Sequence, residues 1–132
     1  MDWNECIKKR IAKNVAEDKN LIKSTNEIAE NKIRAANSLS DDLYYGKIIL
    51  LYDALREILE CMALGKGYKI YNHECYSSFL KEIIGLSREA DIFDNLRKIR
   101  NGINYYGIKV SKDEANNIIG DLKQLILKFK SK

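Results

Sequence analysis

Proline is absent from all 132 residues of the chain. Proline interrupts helix interiors and shapes turns, so its absence favours long helices joined by short connections. The apolar residues agree, recurring every three to four positions along most of the chain, the period of a helix with one buried face. We find no convincing strand, no internal repeat, no linker and no low-complexity tail. "GIKV" at 107–110 is too short to count as a strand. The expectation is an all-α, up-and-down bundle of four main helices plus one short helix, forming a single domain over residues 1–132.

Five helical segments follow from periodicity and capping signals. The first runs from about Trp3 to Ala36, with Ile7, Ile11, Val15, Leu21 or Ile22, Ile28 or Ala29, Ile33 and Ala36 on the beat. A break near Asp18 to Asn20 is left open. "NSLSDD" then turns, with Ser40 or Asp41 as N-cap for a second helix from about Asp42 to Leu64. Its apolar stripe is Tyr44, Ile48, Leu51, Tyr52, Leu55, Ile58, Leu59 and Met62. Asp53, Arg56, Glu57 and Glu60 form a charged stripe on another face. "GKG" at 65–67 ends this helix. After a loop carrying Tyr68 and Tyr71, Asn72 caps a short third helix in which Tyr76, Phe79, Leu80, Ile83 and Ile84 face inward. Ser87 begins the fourth, with Ile92, Phe93, Leu96, Ile99 and Ile103 as its core stripe and Gly107 as its stop. "SKDE", Ser111 to Glu114, is a capping box for the fifth, where Ala115, Ile118, Ile119, Leu122, Leu125, Ile126 and Phe129 repeat.

Composition narrows the function only a little. A net charge of +4 and a pI near 8.9 suit a nucleic-acid partner and equally a lysine-rich surface. No apolar run approaches the roughly 20 residues of a membrane span, so no membrane partner is expected. Cys6, Cys61 and Cys75 form no CxxC pair or Cys/His cluster. Their odd number, with no signal peptide read at the start, predicts a cytoplasmic protein with free, mostly buried thiols. Metal ligation by His73 and Cys75 is disfavoured, and no cofactor motif, P-loop or GxGxxG occurs.

The chemistry concentrates in "LRKIRNGINYYG", residues 96–107. Arg97, Arg100, Asn101 and Asn104 span one polar sector of the fourth helix. Guanidinium and amide groups together grip a phosphate or a base edge, and Tyr105 and Tyr106 can stack on a base or donate a hydroxyl. The structural alternative pairs Arg100 with an acid of the second helix, Asp53 or Glu57, and leaves the tyrosines at the core edge. Gly102 costs a helix about 1 kcal/mol against alanine, which suggests that another backbone crosses there, from this chain or a second copy. His73, the only histidine, is either a cap or packing residue or the one side chain suited to acid–base work near neutrality.

"YYGKIILLYDALREILECMALGKGYKIYNHECYSSFL", followed by "LRKIRNGINYYG" and "SKDEANNIIGDLKQLI", resembles the HEPN (higher eukaryotes and prokaryotes nucleotide-binding) family over roughly residues 40–130. The resemblance implies a helical homodimer. In active members it also implies a metal-independent endoribonuclease, whose motif is an arginine and a histidine separated by four to six intervening residues, near the dimer interface. By position, Arg100 matches the arginine and Asn101 the polar residue after it, while Asp53 and Arg56 match second-helix contributors. The histidine position holds Tyr105, and at longer spacings Tyr106 or Gly107. Losing the histidine removes a proton-transfer group typically worth about 10² to 10⁴ in rate. Expected is therefore a homodimer with an attenuated or non-catalytic cleft binding RNA or a nucleotide through Asp53, Arg56, His73, Asn101, Asn104 and Tyr106 around Arg100. The alternative is an active toxin-type ribonuclease using Arg100 with Tyr105 or His73. Whether the chain is an enzyme stays open. Some family members pair with a separate minimal nucleotidyltransferase as a toxin–antitoxin system. That enzyme modifies a tyrosine two residues beyond the motif histidine, where this chain has Gly107, leaving only Tyr105 or Tyr106 to substitute.

Overall fold

A computed structural model describes residues 1–131. It is an all-α bundle in which four long helices carry the core: α2 (Lys19–Ser38), α3 (Tyr44–Gly65), α5 (Ser87–Tyr106) and α6 (Lys112–Lys130). Two short helices accompany them, α1 (Trp3–Lys8) and α4 (His73–Ser78), with a π-helical turn over Phe79–Ile84 continuing α4. Among the described residues, no helix is long and apolar enough to cross a membrane.

The first helix of the sequence reading is in fact three elements. Asp2 caps α1 by accepting the Glu5 amide. Arg10 then takes a positive φ of 59°, and the chain extends as β1 (Ala12–Asn14). This strand pairs antiparallel with β2 (Tyr68–Ile70), Ala12 opposite Ile70. The expectation of no strand is corrected accordingly. The break near Asp18 is real: Asp18 accepts the Leu21 amide as the N-cap of α2.

Helix α3 is the hub. It packs most extensively on α2 and α6, and also meets β2 and α5. Ile48, Leu51, Tyr52, Leu55, Ile58 and Leu59 are buried as the apolar stripe predicts, but so are Ala54, Cys61 and Glu57. A helix surrounded by neighbours has no free face, so the charged stripe is drawn into ion pairs instead of solvent. Glu57 meets Lys32 of α2 at 3.1 Å, and Arg56 meets Glu60 at 3.3 Å. The N-cap expectation fails here: Leu43 occupies the cap with no side-chain bond, and Ser40 donates to Asp42 instead. Asn72, Gly107 and the Ser111–Glu114 capping box behave as expected.

The thiols depart from expectation. Cys6 and Cys75 form a disulfide between α1 and α4, and only Cys61 is free. Gly102 also has another cause. Ile108 folds back over it, and a Cβ at Gly102 would stand 3.1 Å from Ile108 Cδ1. The amides of Gly107 and Ile108 both donate to the Gly102 carbonyl. A returning side chain, not a crossing backbone, fills the space.

Candidate functional site

Tyr52, midway along α3, is fully buried, and a buried phenol needs a partner for its hydroxyl. It finds His73 of α4, whose Nδ1 lies 3.0 Å from that hydroxyl. On the ring itself sits Arg100 of α5, its guanidinium carbon 5.3 Å from the ring centroid. One tyrosine therefore touches both Arg100 and the lone histidine. Sequence reading placed Tyr52 in the apolar stripe and missed this role; the available signal was a hydroxyl in a stripe that is otherwise mostly aliphatic.

Arg100 is held from several sides. Its Nη1 donates to the Tyr105 hydroxyl at 3.3 Å and to Asn101 Oδ1 at 3.4 Å. Its Nη2 stands 3.8 Å from Asp53 Oδ1. That contact is the acid pairing anticipated from sequence, although its length makes it loose. The Tyr105 ring lies 5.6 Å from the guanidinium. Arg100 Nε is buried and has no hydrogen-bond partner. Such a donor is costly unless something accepts from it.

Two more arginines border the pair. Arg97 donates through Nε and Nη2 to Asp94 at 3.0 and 2.9 Å. Arg56 pairs with Glu60 and faces the Tyr76 hydroxyl. Glu60 is also bonded to Lys69 of β2. Burial lowers the His73 pKa to about 4, with Arg56 and Arg100 pushing the same way and Asp53 opposing. The imidazole is therefore neutral near pH 7. Burial also pushes the Tyr52 and Tyr76 phenols up, so both stay protonated.

Of the residues expected from sequence, Arg100, Tyr105, Asp53, Asn101, Arg56 and His73 gather around Tyr52. Asn104 and Tyr106 do not join them; both lie exposed near the end of α5. The donor set consists of guanidinium, phenol and imidazole groups, which suits an anion. Cys75 is closed off as a ligand by its disulfide, and no cluster of three or more metal-ligating side chains occurs among the described residues. No protein-family profile matches the chain, and no curated protein matches it either.

Proposed function

We propose that the chain is a HEPN-like homodimer whose cleft binds RNA or a nucleotide and cleaves it weakly or not at all. One observation carries this reading. Arginines from α3 and α5 border a neutral histidine–tyrosine pair, and the motif arginine keeps a buried N–H without an acceptor. A phosphate oxygen satisfies such a donor, and guanidinium groups match phosphate geometry. Tyr105, 67% exposed beside Arg100, offers a base a stacking surface.

The second reading, an active metal-independent ribonuclease, gains from His73. His73 shares Tyr52 with Arg100 and can accept a proton once its surroundings allow. The test is incubation of the purified protein with a long mixed-sequence RNA in excess EDTA, beside Arg100→Ala, with binding followed by fluorescence anisotropy. Binding without cleavage, lost in the variant, is the expected result. Cleavage that vanishes in the variant selects the ribonuclease. No binding by the wild type removes both readings.

The dimer rests on the family resemblance and on exposed Tyr105, Tyr106 and Ile108 at the end of α5, since Gly102 no longer argues for it. Light scattering is expected to give twice the 15.3 kDa chain mass, and a monomer at micromolar concentration would remove any composite site. If a separate minimal nucleotidyltransferase is a partner, the exposed Tyr106 is the hydroxyl it reaches most easily. The cytoplasm suits an RNA ligand, although the Cys6–Cys75 bond is unusual for that compartment. Complete burial of both sulfurs shields the bond from soluble thiols.

A further inference from the structure

We propose that His73 takes up a proton when a phosphodiester binds beside Arg56 and Arg100, so that anion and proton bind together. The inference rests on the phosphate-binding reading above and adds the group that responds to it.

His73 stands at the start of α4 with Nδ1 on the Tyr52 hydroxyl. Nε2 has no protein partner among the described residues, and the ring is only partly buried. The groups around it lie on three elements. Helix α3 contributes Tyr52, Asp53 and Arg56. Helix α5 contributes Arg97 and Arg100, with Asp94 turned onto Arg97. On α4 itself, Tyr76 is buried against Arg56, and Glu74 is occupied by the Met1 ammonium at 3.5 Å. The cations outweigh the carboxylates at the ring: Arg56, Arg100 and Arg97 oppose its protonation, and Asp53 alone favours it.

A charged imidazole is thus excluded by desolvation and by three like charges. A phosphate oxygen among those guanidinium groups offsets the like-charge repulsion, because opposite charge within about 4–6 Å favours the protonated ring. In the resulting imidazolium both ring nitrogens carry hydrogen: Nδ1–H donates to the Tyr52 hydroxyl oxygen and Nε2–H donates to the anion. The proton comes from solvent, and no covalent bond changes. Linkage fixes the sign. The pKa of the bound form lies above that of the free form. Affinity is greatest below the free value near 4. It falls about tenfold per unit as pH rises between the free and bound values, then levels off.

With a single histidine in the chain, imidazole ¹⁵N NMR reports this group without assignment. The probe is thymidylyl-thymidine, a deoxydinucleotide with one phosphodiester. It stays monoanionic across pH 4–8 and lacks the 2′-hydroxyl needed for cleavage. Far-UV circular dichroism confirms the fold at each pH, and arginine Nε–H signals report binding independently. The free midpoint is expected below pH 5, rising by at least one unit with saturating probe. In His73→Gln, the probe should still bind at pH 8 but with an affinity that no longer varies with pH.

Arginine signals that move while the histidine midpoint stays fixed would overturn the coupling and leave phosphate binding intact. A free midpoint near 6.5 would also overturn it. If neither set of signals responds, both the coupling and the phosphate site fall. A response to inorganic phosphate but not to the dinucleotide assigns the site to terminal phosphates and overturns the phosphodiester.

Discussion

His73 and Tyr52 show how one buried hydroxyl changes the role of its neighbours. Neither stands out in the sequence: one looks like a cap and the other like core. Burial joins them, and it also sets a stability cost. The folded-state pKa of His73, about 4, lies below the roughly 6.5 of an unfolded chain. The neutral ring therefore contributes stability that is fully present above pH 6.5 and is lost as pH falls towards 4. The slope should stay well under the limit of about 1.4 kcal/mol per pH unit, because the ring keeps some contact with water. Urea midpoints measured from pH 7.5 to 4.5 are expected to fall for the wild type and to fall less for His73→Gln. Equal slopes would show that carboxylates, such as Asp94 held low by Arg97 against its own burial, account for the whole decline. Arg100 and Tyr105 were legible from sequence because one short motif holds both, and Asp53 because it lies on the charged stripe of the second helix as a pairing acid for Arg100. Tyr52 was not, since period alone cannot separate a buried phenol with a polar task from one that only fills space.

The elements show the same division. Capping chemistry is local, so Asn72 and the Ser111–Glu114 box could be read directly. The α1–β1 break could not, because Ile7, Ile11 and Val15 keep a helical beat through a segment that pairs with β2, more than fifty residues away. Tertiary pairing overrode local pattern. Tyr45 is a second case of long-range control. Its hydroxyl accepts the Val110 amide at 2.9 Å and donates to the Val110 carbonyl at 3.2 Å, clamping the α5–α6 connection to the start of α3. Val110 is buried, so Tyr45→Phe leaves an amide without a partner. The expected cost is about 1–3 kcal/mol, seen as a lower urea midpoint with an unchanged slope. The connection also aims the end of α5, so Tyr45→Phe should loosen the Tyr105 side of the site before it affects α3. Hydrogen exchange would show this as faster amides at 105–110 with α3 unchanged.

At the scale of the whole molecule, the disulfide decides how the N-terminal segment is held. Cysteine counting cannot assign a pairing, and an odd number argued against one. Only the fold brings Cys6 to Cys75, with Cα atoms 6.1 Å apart across 69 residues. Around that bond Trp3 packs on Tyr68 and Phe79, the Trp3 amide donates to Glu82 at 2.7 Å, and Ser78 donates to the Met1 carbonyl. The bond thus fastens α1 to the helix that presents His73. Closing a loop of this length restricts the unfolded chain by about 4 kcal/mol. A Cys6→Ala/Cys75→Ala double variant is therefore expected to lose about 2–5 kcal/mol, measured by urea unfolding without reductant. Wild type unfolded in urea with dithiothreitol, which reaches the sulfurs once the chain opens, should fall to the same midpoint, while the variant should not respond to dithiothreitol. A variant as stable as the oxidised wild type would mean that noncovalent packing of Trp3 already holds α1 in place. The loss should also be uneven. α3, α5 and α6 pack on one another without α1, so hydrogen exchange in the reduced protein should speed up first in residues 3–14 and in α4. Because α4 carries His73, the histidine resonance should broaden in the same samples, while signals from the core of α3 stay sharp.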